Sequence, residues 1–483
     1  MAESLKKKTV KGLIWNSVDN FAAIGIQFII GIILARLLSP SEYGIIGLIT
    51  VFLAISEAFI TAGFGSALIR KKDRTEIDNA TVFFFSVATS IFFYILLYFS
   101  APLIARFYNQ PILVPITRVI AVTLIFGAFC IVPNAIFATR IDFKTTAKIS
   151  VSAGIAGGIL GVTLAYFGYG VWALVFQMIA NQLMRTILLY VFSKWKPKEK
   201  FSKKAFKDLF SFGSKLMFSG LLNAVYNNLY TIVIGKLFPP STLGLYTRAS
   251  AFARLPSSNL TNVLQRVTYP VLSTIQDDDE RLSSIYRRLL KMSAFVIFPL
   301  MMLLFGISDP LVRWLLTDKW EGCIILLQLI CFSMMWYPIH AINLNLLQVK
   351  GRSDLFLKLE IIKKIIGTLV VIVSAFWGII GLCVGGIISS LISLVLNTHY
   401  TGKMIHVGFK EQMMDITPIL IVSSIGGFGI LMVTWAPVLH HLAKLLIGVV
   451  VFLCYYLFAS KLWLREELDE TIKILKQKKE ANQ

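Results

Sequence analysis

The residues of this sequence that could do chemistry are polar and charged side chains set inside long apolar runs. Between residues 243 and 273 one such run carries Arg248, Arg254, Asn259, Asn262 and Arg266. At about 100° per residue on a helix, Arg248, Leu255, Asn259, Asn262 and Arg266 fall on one stripe. Arg254 lies near the middle of the run on another face. A guanidinium stays protonated in a low-dielectric setting and grips phosphate through paired hydrogen bonds. Arg248 and Arg266 have an alternative, which is to snorkel to the two membrane interfaces. In the first run Asn16, Asn20 and Gln27 share a face with Asp19 at its edge, and a seventh run presents Asn223, Tyr226, Asn227 and Tyr230 in the same way. Carboxamides so placed can replace the hydration of sugar hydroxyls, or tie neighbouring helices together. Glu57 and Asp19 are acids within apolar runs; each could bind a proton or a sodium ion, or sit in a static ion pair.

The elements that must hold these groups are membrane helices. Hydrophobic residues make up 56% of the 483 and charged residues 15%. Runs of about 20 apolar residues recur from end to end, each enough to cross a ~30 Å hydrocarbon core as a helix. Fourteen spans are expected, near 12–36, 43–69, 79–104, 113–138, 146–167, 170–193, 209–236, 243–273, 286–307, 321–347, 355–377, 379–401, 415–435 and 441–461. The basic start, Met1 to Lys11, leads into a run too long for a signal peptide and followed by a further span. The fold class is therefore all-α and polytopic. The five cysteines are scattered singly and the five histidines do not cluster with them, so neither a disulfide framework nor a zinc site is expected, and no cofactor.

A net charge of +21 would suggest nucleic acid in a soluble protein. Here its placement gives another reason. With the N-terminus in the cytoplasm, nearly every loop Lys and Arg falls on the inner side, including the run Lys194, Lys196, Lys198, Lys200, Lys203, Lys204 and Lys207. The outer loops hold only Arg36, Arg106, Lys236, Arg313 and Lys319. The charge is a topology signal, with both termini cytoplasmic, and no nucleic-acid partner is expected. Contact with anionic lipid headgroups is the second use of the basic loop 194–208.

One turn is used twice. Arg36-Leu37-Leu38-Ser39-Pro40-Ser41-Glu42-Tyr43-Gly44 is answered two hundred residues later by Lys236-Leu237-Phe238-Pro239-Pro240-Ser241-Thr242-Leu243-Gly244. Six spans separate the copies, which makes the repeat parallel: two pseudo-symmetric six-helix lobes. The expected division is 1–193 for the first lobe, 194–208 for a basic linker, 209–401 for the second lobe, 402–461 for two further spans and 462–483 for a charged tail. At this offset Gln27 corresponds to Asn227, Glu57 to Ser257 and Ala54 to Arg254.

The run from Leu34 to Phe52, LARLLSPSEYGIIGLITVF, followed by GFGSALIRKKD from Gly63 to Asp73, closely resembles the start of bacterial polysaccharide transporters. These belong to the multidrug/oligosaccharidyl-lipid/polysaccharide exporter superfamily, and the likeness is to the flippases of O-antigen, colanic-acid or teichuronic-acid type. The resemblance implies a V of two lobes around a central cavity in the bacterial cytoplasmic membrane. It implies an activity too: moving undecaprenyl-diphosphate-linked oligosaccharide from the inner to the outer leaflet for surface polysaccharide biosynthesis. Partners would be that lipid-linked substrate, membrane lipids, a proton or sodium ion, and a polysaccharide polymerase with its chain-length machinery.

Two other functions compete. A related exporter, moving drugs by cation antiport or a peptidoglycan-precursor lipid, would share the fold. A membrane-embedded polymerase or ligase would need acidic or His/Arg constellations in sizeable outer loops, which are short here. If the arginines carry the diphosphate, Arg254→Ala and Arg266→Ala should each abolish surface glycan at normal protein level. Full export by both variants, read by glycan immunoblot, removes them from the pathway.

Overall fold

The computed structural model describes residues 24–434 and 440–480, with the side chains of 266, 267 and 474–480 outside the described set. Among the described residues the regular structure is entirely helical. The chain forms two compact units, Met1–Gly244 and Leu245–Gln483.

The first unit begins with α1 (Ile24–Leu37), α2 (Pro40–Thr61) and α3 (Phe64–Arg70). There follow α4 (Glu76–Tyr108), α5 (Leu113–Ile120), α6 (Val122–Arg140), α7 (Phe143–Tyr166) and α8 (Val171–Ser193). It then takes in α9 (Lys203–Asn227) and α10 (Leu229–Leu237), and α11 (Pro240–Ser273) starts at its end. The second unit adds α12 (Asp279–Gly306), α13 (Ser308–Leu316), α14 (Cys323–Met334), α15 (Tyr337–Val349) and α16 (Ser353–Ser374). It closes with α17 (Gly378–Ile405), α18 (Phe409–Thr434), α19 (His441–Trp463) and α20 (Arg465–Glu480).

Among the described residues ten continuous segments are long and apolar enough to cross a membrane, and one of them, Ser353–Ile405, contains both α16 and α17. Two of the three other expected spans coincide with the pair α9–α10 and with α11; of the first, 12–36, the part from 24 onward is α1 and 12–23 lies outside the described residues. Several expected spans are broken: the second at Ala62–Gly63, where both residues have positive φ, the seventh at Asn228, and the tenth between α14 and α15. Asn228 softens its break by donating from its amide to the Ala224 carbonyl at 2.8 Å. The chain is a multi-pass membrane protein, and its outward apolar side chains say so locally: Phe92, Phe99 and Leu103 on α4 are 60%, 71% and 67% exposed.

Proline does not interrupt α11, which continues through Pro256 and Pro270 for 34 residues. Near Pro256 the side chains add their own bonds to the helix backbone. Ser258 Oγ donates to the Arg254 carbonyl at 2.6 Å and Asn259 Nδ2 to that of Leu255 at 2.8 Å.

The repeated turn has a packing role. Ser39 closes the N-terminus of α2, its N–H and hydroxyl both donating to the Glu42 carboxylate at 2.6 and 2.8 Å. The two copies of the turn then meet through backbone. A Cβ placed on Gly44 would fall 1.7 Å from the carbonyl oxygen of Pro240, and one on Gly244 would fall 1.8 Å from that of Pro40. Below this contact α9 crosses the α2–α3 break in the same manner: a Cβ on Gly213 would lie 2.5 Å from the Ala62 carbonyl oxygen. Phe206 and Phe210 of α9 pack beside Phe64 and Phe85.

Several local expectations change. Within the basic linker read at 194–208, Trp195 is buried, its indole N–H donates to Glu76 at 2.9 Å, and the Ser202 N–H donates to Thr81 at 3.1 Å; α9 starts at Lys203. The outer loop expected at 308–320 folds as α13 and a 3-10 turn, Asp318–Trp320, because Arg313 binds Asp309, Asp318 and Glu321 together. Those carboxylates hold its guanidinium above the ordinary arginine range. Glu360 pairs with Lys363, its neighbour at i,i+3. The charged tail forms α20, which docks on α12 through Glu467 to Lys291 and Glu470 to Arg288. Asp415 is buried on α18 and holds Arg287 by two bonds of 2.7 Å, an ion pair the sequence reading did not find.

Because the Gly44 and Gly244 contacts are backbone to backbone, no side-chain rotation can relieve an added methyl. Gly44→Val and Gly244→Val should each destabilise the purified protein by at least about 1–3 kcal/mol. The double variant should cost less than the sum of the two, since both disturb one contact. Thermal melts in detergent would show this; strictly additive losses would mean that the turns are independent.

Candidate functional site

A cavity of about 420 Å³ opens in the first unit between α1, α2, α6 and α8. Its polar lining is Gln27, Thr50, Glu57, Thr61, Thr123, Gln177, Asn181 and Gln182; its apolar lining includes Leu53, Ile60, Leu124, Ile131 and Met178. Glycine sets this geometry. On α7, Gly154, Gly157, Gly158 and Gly161 present a surface without side chains, as small residues do where membrane helices approach closely. A Cβ on Gly157 would meet the Gln177 carbonyl oxygen at 2.8 Å and Asn181 Cβ at 2.9 Å, and one on Gly161 would meet Gln177 Cβ at 2.7 Å. On the other side of the same face, Gly158 accommodates Ile30 of α1, with an added Cβ only 2.2 Å from its methyl. Thus α7 seats both α1, which brings Gln27, and α8, which brings Gln177, Asn181 and Gln182.

One cavity carboxamide is spent on a helix-to-helix bond, from α8 to α6. Gln182 Nε2 donates to Cys130 Sγ at 3.5 Å. The side chains of Gln27, Glu57, Gln177 and Asn181 have no hydrogen bond or ion pair among the described residues. Thr61 caps its own turn instead, donating to the Glu57 carbonyl at 2.9 Å. Gln27 and Glu57 are exposed and Gln177 and Asn181 half-buried, so the cavity presents their polar atoms at an accessible surface.

The expected site residues divide between the units. Gln27 and Glu57 meet in the cavity. Asn16, Asp19 and Asn20 lie outside the described residues. Asn223 and Asn227 are exposed on α9 and are not among the residues lining the cavity. In the second unit, Arg248 is half-buried with its guanidinium 5.7 Å from the centre of the buried Trp320 ring. Arg254 and Asn262 are exposed, Asn259 is half-buried, and Arg266 belongs to α11 with its side chain outside the described set. Ser257, the counterpart of Glu57, is buried and donates to the Met334 carbonyl at 2.7 Å. His340 is likewise committed within its unit, between Ser390 at 3.0 Å and Asn397 at 3.3 Å.

The sequence reading missed Gln177, Asn181 and Gln182. The signal was present: three carboxamides within six residues of an apolar helix, two of them one turn apart, opposite a run of glycines at i, i+3, i+4 and i+7.

Gly161→Leu should displace α8 and, with it, the cavity wall. Transport should be lost while the protein still reaches the membrane, as measured by export per unit of immunodetected protein. Wild-type export by this variant would mean that the approach of α7 and α8 does not set the site.

Comparison with known proteins agrees with this architecture. Residues 33–325 match the family described as "Polysaccharide biosynthesis protein". The chain is similar to the lipopolysaccharide biosynthesis protein WzxC of Escherichia coli (strain K12), 24% identical over 402 residues, 82% of this chain and 81% of that one. It is also similar to the teichuronic acid biosynthesis protein TuaB of Bacillus subtilis (strain 168), 25% identical over 355 residues, 73% of each. Among solved structures, the lipid II flippase MurJ in its inward closed conformation superposes with a TM-score of 0.75 at 17% identity, over 94% of this chain and 100% of that one, which shows a shared fold. A many-helix membrane fold with a carboxamide-lined cavity, matched by a family over residues 33–325, places this chain in the polysaccharide biosynthesis protein family.

Proposed function

We propose that this protein is a flippase, carrying undecaprenyl-diphosphate-linked oligosaccharide from the inner to the outer leaflet of a bacterial cytoplasmic membrane by alternating access. The observation that carries the reading is the cavity of the first unit, where an apolar bundle holds unpaired carboxamides and a carboxylate suited to sugar hydroxyls. The family and the printed names of the relatives, which speak of lipopolysaccharide and teichuronic acid biosynthesis, support the same substrate class. The reading is of a transporter rather than an enzyme.

The proposal has a charge component. The diphosphate carries about two negative charges across a low-dielectric core, and Arg254 and Arg266, with Arg248 nearer one end of α11, are assigned to it; Asn259 and Asn262 share the stripe of Arg248 and Arg266. Asn16, Asn20, Asn223 and Asn227 are assigned to the sugar pathway. Asp19 and Glu57 are the candidates for coupling to a proton or sodium ion. The lobe division at 194–208, the cytoplasmic placement of both termini and the polymerase partner belong to the same proposal.

Deleting the gene and fractionating lipid-linked glycans would test it. Undecaprenyl-linked oligosaccharide should accumulate on the inner leaflet and surface polymer should disappear. Unchanged surface glycan with lost drug efflux, or accumulation of peptidoglycan precursor in its place, would assign the chain to another exporter.

A further inference from the structure

We infer that a second pocket of the first unit binds the phosphodiester headgroup of an anionic phospholipid. The pocket, of about 250 Å³, lies where α4 begins and where α6 and α8 end. Arg74, Arg140, Lys194, Lys196 and Lys198 line it, and Glu76 is the acid beside them. The Glu76 carboxylate is already engaged: one oxygen accepts from Asn79 Nδ2 at 3.2 Å and the other from the Trp195 indole at 2.9 Å. The guanidinium and ammonium groups converge from three separate loops, and phosphate is the anion that such groups hold through charge-assisted hydrogen bonds.

Local structure builds the pocket. Lys194 stops α8 in the left-handed region, with φ 52°, its N–H donating to the Tyr190 carbonyl at 3.0 Å. The chain beyond it alternates: Lys194, Lys196 and Lys198 are exposed, while Trp195 is buried. The Trp195 ring packs on Phe83 of α4 and Tyr190 of α8, with ring centres 5.6 and 6.3 Å away, and so pins the lysine segment to both helices. Arg74 is drawn toward α6 from the other loop, its Nη2 donating to Thr139 Oγ1 at 3.4 Å, one residue before Arg140.

Two plainer causes leave part of this pattern unexplained. Basic residues at helix C-termini offset the negative end of the helix dipole, which accounts for Arg140 and Lys194. Arg74 precedes the N-terminus of α4, where a cation opposes the dipole, and Lys196 and Lys198 lie beyond the last turn of α8. The positive-inside preference accounts for basic loops but asks for no pocket shared between them. The neighbouring side chains favour a lipid over free phosphate. Ile77 follows Glu76, Ile141 follows Arg140, and Val191 and Phe192 precede Ser193 of the lining; all four are exposed. Apolar groups thus stand beside the charged ones, as a ligand with acyl chains requires. On the side assigned to the cytoplasm that ligand is a phospholipid of the inner leaflet, to which each nearby Lys or Arg adds roughly 5-fold in affinity.

The test is a thermal melt of the full-length protein in neutral detergent, titrated separately with short-chain phosphatidylglycerol, short-chain phosphatidylcholine, inorganic phosphate and a polyprenyl diphosphate. A ligand that binds the folded state raises the melting temperature with its concentration. Phosphatidylglycerol should do so, and phosphatidylcholine and inorganic phosphate should not. Arg140→Gln/Lys196→Gln, which alters two exposed side chains, should need at least ~10-fold more phosphatidylglycerol for the same rise. Lys200→Gln/Lys204→Gln removes the same charge from the linker outside the pocket and should respond as wild type. No rise in folded wild type, equal rises with the two phospholipids, or equal losses in both double variants would overturn the inference, the last in favour of a diffuse basic surface. An equal rise with inorganic phosphate would reassign the pocket to a free anion. A response to polyprenyl diphosphate that Arg140→Gln/Lys196→Gln abolishes would reassign it to the transported lipid. These readouts involve no transport, so the flippase reading can fail without touching the pocket.

Discussion

The reciprocal contact of the two turns sets the approach of α2 to the start of α11, and much of the first unit follows from it. Both helices begin with proline, whose ring fixes φ and whose missing N–H costs nothing at a helix start. One turn later each has a glycine, and each glycine receives the proline carbonyl of the other copy. Backbone then touches backbone, a separation that no residue with a side chain permits. The α2–α3 break at Ala62–Gly63, with Gly213 against it, extends the same logic to α9.

Close approach through glycine also makes the cavity. In water, burial of apolar area draws helices together; in lipid the surroundings are as apolar as leucine, so association relies on fit. The α7 glycines supply that fit, and the carboxamides of α8 are carried to their places by it. Gln27, Glu57, Gln177 and Asn181 are gathered along one accessible space instead of being scattered. The second unit spends its buried polar groups differently. Asn343, Thr401 and Gln412 bond to one another, and Asp415 binds Arg287, so these groups lock α15, α17, α18 and α12 together.

The fold was readable in the sequence to a large degree. Over the described residues each expected span coincides with a helix or a broken pair, because a 20-residue apolar run has only one way to satisfy its backbone in a bilayer. The breaks were less readable, since they depend on a neighbouring helix accepting the freed groups. Of the site, Gln27 and Glu57 were found because each is a polar residue in an apolar run. Gln177 and Asn181 were overlooked because their meaning depends on a glycine face sixteen or more residues away.

What the sequence determined by itself is the membrane class, the order of the apolar spans, the parallel repeat and which polar residues fall inside apolar runs. These follow from local composition and periodicity, which a bilayer reads one segment at a time. The tertiary structure decided which polar residues are spent on packing and which remain open. Ser257 and Glu57 occupy equivalent places in the repeat, yet one is buried against the Met334 carbonyl and the other lines a cavity. The difference lies in what each side chain finds across the helix interface, and the chain's own order does not contain that.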